Sequence, residues 1–346
     1  MHRVATCLLA IFVCLDAGHS QPLTGKLANT FPPQAPPTRG AEILSQKASA
    51  AGLLRLDILP PGALGLPPQV VDLVRSGTVD MAVVPTQTLI RFNRNFEIFS
   101  LPFAFPDLGY VFRFQESESG KTMLKSLDEA GLKGLSYWSV GMTQLFSRQP
   151  VRKADDLKGL KVARVNTPLA RTVMQSLGAN TPNLGFGEVV AALERGVVDA
   201  SDATPAVADA FGFARVQKFM NVTNQEYAGG VLIANAAFWS RMSAGQQNQM
   251  LAIIGEVTRQ VDQLAIEQTE KDVERLRSAG VDIVRPEAGA FKTWQDAASR
   301  AWLSSQGDRQ ILLAAMQGGA EGGGDTCGPG VCRCQNRTCS KDCCRR

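Results

Sequence analysis

The chain has 346 residues, enough for two domains of ordinary size, and its 45% hydrophobic and 20% charged content fits a soluble globular protein. The net charge is +4, of which the last 22 residues supply +3, so the body is near neutral and carries no electrostatic footprint for nucleic acid. The only two histidines, His2 and His19, lie in the first 20 residues. A mature chain without histidine excludes histidine-based triads and most zinc-catalysis sites. There is no phosphate loop, no G-x-G-x-x-G after a strand and no G-x-S-x-G elbow, so the sequence argues against an enzyme.

Residues 1–20, MHRVATCLLAIFVCLDAGHS, have a basic start, an apolar run and small residues at Gly18 and Ser20. That pattern is a secretory signal with cleavage near Ser20, and its apolar run is too short to span a bilayer. A buried first strand and a lipoprotein are the competing readings; Val13 before Cys14 weighs against the second. No later segment is a membrane-helix candidate. The expectation is an exported, periplasmic protein that is not embedded in the membrane.

Leu23 to Thr30 reads as a strand, Gly40 to Ala51 as a helix, Leu54 to Leu59 as a strand, Gln69 to Ser76 as a helix stopped by Gly77, and Thr78 to Val84 as a strand. VVDLVRSGTVDMA, Val70 to Ala82, is echoed by VVAALERGVVDAS, Val189 to Ser201. Asp80 matches Asp199, and Gly77 matches Gly196. The echo predicts two similar α/β lobes in sequence.

Phe96 to Phe105, FEIFSLPFAF, is too apolar for a free loop, and Pro102 bars a central strand position. A packed inter-lobe or crossover segment is expected. Asp107 to Ala130 reads as mostly helical, and Leu135 to Trp138 as a strand running into Gly141-Met142-Thr143-Gln144.

Asp155 to Pro205 carries the organising pattern. A basic lead-in precedes a strand, Val162 to Val165, broken at Asn166-Thr167-Pro168. Thr167 can accept from free N–H groups of the next turn and Pro168 suits the first helical position. Leu169, Val173 and Leu177 share one helical face, stopped by Gly178; a second helix through Val189, Val190 and Leu193 is stopped by Gly196; and Val197-Val198-Asp199 closes the unit as a strand. This alternation is the grammar of a parallel sheet with helices on its faces, which binds ligands beyond the carboxyl ends of its strands. Those ends are Arg164 to Thr167 and Asp199 to Thr204.

Thr223 to Asn235 reads as another long strand segment and, with the stretch around Gly141, as a crossing between lobes. Ser243 and Gln246 form a capping box for a helix to about Ser278, whose seam is Met250, Ile254, Val257, Val261 and Leu264. At 1.5 Å per residue it would be ~50 Å long, enough to lie across two lobes. Val281 to Val284 reads as a last strand, Phe291 to Met316 as two helices, and Gly318 to Gly324 as a linker.

The tail holds Cys327, Cys332, Cys334, Cys339, Cys343 and Cys344, while Gln21 to Thr326 has no cysteine. Three readings stay open. One is a disulfide-stapled miniature domain, supported by export to an oxidising compartment. Another is thiolate binding of Cu or Zn by the Cys-x-Cys and Cys-Cys pairs. The third is a peptide carried on the protein and cut at the linker. Asn336-Arg337-Thr338 is a glycosylation sequon with meaning only in a eukaryotic secretory pathway.

From about Leu23 to Met316 the chain resembles the solute-binding proteins of TRAP transporters, the DctP type. The pieces that carry the resemblance are Gly77-Thr78-Val79-Asp80-Met81-Ala82, Leu101-Pro102-Phe103, Asp156-Leu157-Lys158-Gly159-Leu160-Lys161, Leu177-Gly178-Ala179, Phe186-Gly187-Glu188-Val189 and Gly196-Val197-Val198-Asp199. The resemblance does not cover the cysteine tail. It implies a two-lobed periplasmic-binding-protein fold, type II-like, with a cleft between lobes and a long helix spanning both. The expected division is a signal over 1–20, lobe I over 21–139 and 229–265, lobe II over 140–228 and 266–316, a linker over 317–326 and the tail over 327–346. It also implies capture of a small organic solute by hinge closure, delivery to membrane permease subunits, and no chemistry. The alternative is an exported metal-handling or sensing protein whose tail binds Cu or Zn and whose lobes are scaffold.

The chain departs from the family where ligand is held. The family's carboxylate-pairing Arg position is Ala163 here, with Arg164 one step on, and successive strand side chains face opposite ways. The second family Arg position is Thr143, and the family's Gln-Glu-Asn is Ser201-Asp202-Ala203. Either a shifted register restores Arg164, or the ligand is not a simple carboxylate. The expected ligand-binding set is Asn29, Thr86, Gln87, Thr143, Gln144, Arg164, Asn166, Thr167, Asp202 and Tyr227. The bland readings are a structural ion pair for Arg164, a helix cap for Asp202 and a packed aromatic for Tyr227.

Overall fold

The computed structural model describes residues 23–163, 167–184 and 186–318, so the expected signal over 1–20, Arg164, Asn166 and all six tail cysteines lie outside the described residues. Its strands form two five-stranded sheets. The first is ordered β2 (Leu54–Leu59), β1 (Leu23–Asn29), β3 (Met81–Pro85), β9 (Tyr227–Asn235), β4 (Leu132–Met142). The second is ordered β10 (Asp282–Val284), β8 (Phe219–Asn221), β5 (Gln144–Ser147), β7 (Ala200–Ala203), β6 (Val162–Ala163).

The sheets are mixed, not purely parallel. β1 pairs parallel with β2 and β3, and β6 with β7, as the strand–helix–strand alternation implies. β9 runs antiparallel to β3 and β4, and β5 antiparallel to β7 and β8. The antiparallel members are the strands that carry the chain between sheets, and a direct crossing reverses direction where a helical crossover would not.

The helices are α1 (Pro36–Ala50), α2 (Pro67–Arg75), α3 (Leu108–Glu116), α4 (Glu118–Lys125), α5 (Pro168–Ser176), α6 (Val189–Glu194), α7 (Pro205–Ala210), α8 (Ala236–Trp239), α9 (Ala244–Ser278), α10 (Ala288–Ser304) and α11 (Arg309–Gln317). None of the described helices is long and apolar enough to cross a membrane. Asp107 to Ala130 is mostly helical, as expected, in separate pieces: Ser117 ends α3 in extended backbone and caps α4 by accepting from the N–H of Gly120.

Several strand boundaries move. β3 starts at Met81 and β7 at Ala200, each after the Asp that the hydrophobic pattern places inside the strand. Val197 is 48% exposed, so an apolar residue that suggests a strand is here a turn residue. The expected long strand from Thr223 to Asn235 begins later, at Tyr227, and residues 222–226 join β8 to β9.

α9 starts on the predicted capping box and joins the halves. Met250, Ile254, Val257 and Val261 belong to the core beside α1 and the first sheet, whereas Leu276 belongs to the core of the second. The buried seam continues through Ala265 and Asp272 and not through Leu264, which is half-buried. α9 packs on α1 and β4 at one end and on α7 at the other. The closing helices also divide: α10 packs on α5, while α11 packs on α3 and α4. Placing all of 266–316 with the second lobe therefore does not describe α11.

Phe96 to Phe105 is the packed segment that its composition predicts. Phe96, Phe99, Phe103 and Phe105 are all buried. Phe103 sits at φ 65°, its N–H donates to Gln225 O at 2.8 Å, and its ring stacks on Trp294 of α10 with centroids 5.1 Å apart. A bulky residue at positive φ persists only where its surroundings over-determine it, and here both the backbone bond and the stack do so.

Candidate functional site

The pairing registers place one edge of each sheet at the crossings. Pro85, at the carboxyl end of β3, pairs with Gly230 near the start of β9, and Met142, at the end of β4, pairs with Tyr227. In the second sheet Ala203, at the carboxyl end of β7, pairs with Gln144 at the start of β5, and Asn221, at the end of β8, pairs with Leu145. The carboxyl ends of the parallel strands in both sheets thus flank the two connections, 142–144 and 221–227. Two strand-end edges meeting at a hinge is the position where α/β folds bind ligands.

Thr143 ties the crossings together. Its N–H donates to Glu226 O at 2.8 Å, its carbonyl accepts from Gln225 N–H at 2.9 Å, and its Oγ1 accepts from Glu226 N–H at 3.0 Å. Gln144 makes a reciprocal pair with Asn224: Nε2 donates to Asn224 Oδ1 at 2.8 Å, and Oε1 accepts from Asn224 N–H at 2.9 Å. Asn224 Nδ2 also donates to Pro106 O at 2.7 Å, and Asn224 has φ 42°, a region Asn tolerates better than most residues. Both Thr143 and Gln144 therefore build the hinge.

Asn29 ends β1 and is 2% exposed; its Nδ2 donates to Phe31 O at 3.1 Å and Thr38 Oγ1 at 2.7 Å. Thr86 is buried and Gln87 half-buried in the 3₁₀ turn Thr86–Leu89 that follows β3. Thr167 caps α5 as its spacing predicts, accepting from Ala170 N–H at 3.0 Å. Asp202 lies within β7, opposite Leu145, and is 2% exposed. It is not the helix cap of the bland reading: Thr204 holds that place, accepting from Val207 N–H at 3.3 Å. Arg164 and Asn166 lie outside the described residues.

Tyr227 is a packed aromatic with a polar function at its tip. It is fully buried, and its hydroxyl lies 3.0 Å from Ser139 Oγ. Burial pushes its phenol well above the usual range, and the charge of Asp262 adds to this. Asp262, on α9, lies near Ser139, and its Oδ1 is buried without a hydrogen-bond partner among the described residues. Burial, with repulsion from Glu116, raises its carboxyl to about 7, against the lowering effect of the nearby Ser139 hydroxyl. Periodicity hides Ser139, Asn224 and Asp262, since each is one polar residue within an otherwise ordinary strand, turn or helix. The polar run Asn224-Gln225-Glu226 between two strands is the signal that would have found the hinge.

Among the described residues no three His, Cys, Asp or Glu side chains cluster as metal ligands. The arrangement offers hydroxyl, amide and carboxyl groups at facing strand ends, about a hinge, which suits holding a polar solute.

Comparison with known proteins agrees with this geometry. A C4-dicarboxylate-binding periplasmic protein DctP of Rhodobacter capsulatus is 28% identical over 268 residues, covering 75% of this chain and 79% of that protein. The 2,3-diketo-L-gulonate-binding periplasmic protein YiaO of Escherichia coli K12 is 29% identical over 234 residues, covering 67% and 71%. The crystal structure of a TRAP periplasmic solute-binding protein from Ochrobactrum anthropi superposes with a TM-score of 0.81 at 24% identity, covering 86% of this chain and 95% of that one. The family model described as bacterial extracellular solute-binding protein, family 7, matches residues 27–307, and the chain belongs to this family, DctP.

Proposed function

We propose that the chain is the periplasmic receptor of a TRAP transporter, exported by cleavage near Ser20, and that it holds a small organic acid between the two strand-end edges. The relatives named for C4-dicarboxylates and for 2,3-diketo-L-gulonate support an acid as ligand. The observation that carries the reading is the meeting of both carboxyl edges at the paired connections 142–144 and 221–227. Bending there closes the gap on a solute, ligand favours the closed state, and membrane permease subunits receive it. The chain does no chemistry on its guest. Asn29, Thr86, Gln87, Thr143, Gln144, Arg164, Asn166, Thr167, Asp202 and Tyr227 form or support the site. Arg164 is the carboxylate partner, and the tail cysteines form disulfides or bind Cu or Zn.

A thermal-shift screen of the full chain against C4-dicarboxylates, sugar acids, amino acids and neutral solutes tests this. An organic acid raises the melting temperature by mass action and is recovered unchanged. No stabilisation by any acid, or conversion of the acid, overturns the reading. Copper and zinc titrations of full-length chain against a form ending at Gly324 test the tail.

A further inference from the structure

We propose that a crevice framed by residues 94–97, α5 and α10 is a second binding site, selective for a hydroxylated organic anion. Its volume is about 500 Å³, within the range of small-molecule sites. None of the eight described residues assigned to the gap between the sheets lines it. Ala297 and Ala301, one turn apart on α10, leave the space open, and Pro168 and Leu169 of α5 supply apolar wall.

The charges in this crevice are Arg94, Arg300 and Glu97. Arg94 meets Glu97 only at 3.7 Å, with its side chain 51% exposed, and Arg300 makes no ion pair among the described residues. Two guanidiniums against one carboxylate leave one positive charge to be matched. A guanidinium fork is matched best by a carboxylate.

The hydroxyls decide what else the ligand carries. Thr172 Oγ1 donates to Pro168 O at 3.0 Å, Ser176 Oγ to Val173 O at 2.7 Å, and Ser305 Oγ to Trp302 O at 2.8 Å. These three hydroxyl hydrogens are committed to their own helices, which leaves their oxygens as acceptors, while the hydroxyl of Ser304, which also lines the crevice, can still donate. A plain dicarboxylate would leave the oxygens of Thr172, Ser176 and Ser305 facing acceptors. A carboxylate that also bears hydroxyl donors satisfies both the guanidiniums and the oxygens. Such a ligand would touch residues 94–97 of the first half and α5 of the second, so its binding joins the two.

The site does not depend on the identity of the solute in the main gap. The probes are D-gluconate and, as a control without hydroxyls, adipate, titrated calorimetrically into the full chain. Gluconate binds wild type, and more tightly than adipate. Its affinity falls by about tenfold or more in Arg94→Gln/Arg300→Gln, as expected for loss of ~1.4 kcal/mol or more. Asp202→Asn leaves it unchanged. Both arginines are exposed, so their removal leaves the melting temperature close to wild type, which the same samples report. Equal gluconate affinity in the double variant, no gluconate binding to wild type, or loss of binding in Asp202→Asn alone each overturns the proposal. An organic acid that still stabilises the double variant shows that the main gap works even if this site does not exist.

Discussion

Asp80 and Asp199 hold the same place in the two halves. Each carboxylate accepts the backbone N–H of a lysine on the neighbouring segment, Lys26 at 2.7 Å and Lys161 at 2.9 Å. Each backbone N–H returns a bond to that lysine's carbonyl, at 3.2 and 2.9 Å. The preceding Gly77 and Gly196 sit at φ 77° and 69°, so the sequence echo is one turn used twice. Only glycine adopts that conformation at little cost. Replacing either Asp by Ala leaves a backbone amide without its acceptor and is expected to cost about 1–2 kcal/mol. The two sites lie in different halves, so the double variant should be additive. Asn keeps an acceptor oxygen and should retain most of the stability. Urea denaturation measures this; an Asn variant as unstable as the Ala variant sinks the hydrogen-bond account.

The Gln144–Asn224 pair predicts a graded series at the hinge. Asn224→Ala loses the bonds to Gln144 and Pro106 and places a non-glycine residue without compensating contacts at positive φ, so a loss of about 2–3 kcal/mol is expected. Asn224→Gly loses the same side-chain bonds without the backbone strain and should be the milder change. Gln144→Ala removes only one partner and should fall below Asn224→Ala. A urea series in which Gly is worse than Ala would show that the backbone conformation is not what the Asn side chain supports.

Phe103 offers a packing test. Truncation to Ala removes a fully buried ring that stacks on Trp294, and the expected loss is about 3–5 kcal/mol, typical of Phe→Ala in a core. Leu keeps much of the volume and should recover over half of it. The junction between residues 94–105 and α10 joins the two halves, so loss of cooperativity in the denaturation curve is expected along with the loss of stability.

What was legible in the sequence followed from local signals. The Ser243–Gln246 box and the Met250-to-Val261 spacing placed α9, and Thr167-Pro168 placed the start of α5, because caps and periodicity act within a few residues. The starts of β3 and β7 were misplaced because Asp80 and Asp199 look like strand residues until the lysine amide that each one receives is known, and that partner is distant in sequence. The antiparallel crossings were not legible for a related reason: hydrophobic alternation fixes which face a residue shows, not the direction of its neighbour. Gln144 shows the same limit at the site. Its position after a strand gives no sign that its amide pairs with Asn224, 80 residues away.

Asp262 makes stability depend on pH. Its carboxyl is raised to about 7 by burial and by Glu116, from an ordinary aspartate value near 4. Between those values the folded chain keeps a proton that the unfolded chain has released. Stability then falls as pH rises, since its slope follows the unfolded minus the folded proton count. The contribution is complete below about pH 4 and lost as pH passes about 7, with a ceiling near 1.4 kcal/mol per pH unit in that window. Asp262 is only half-buried by area, so water reduces the slope below that ceiling. Asp262→Asn keeps the shape and removes the titration, and Glu116→Gln should lower the raised value in part. Urea midpoints at pH 5 and pH 8 decide the matter. Wild type should lose more stability between them than Asp262→Asn does, and the Asn variant should be the more stable of the two at pH 8. Parallel pH profiles for the two proteins would show that the carboxyl beside Ser139 and Tyr227 is ionised throughout.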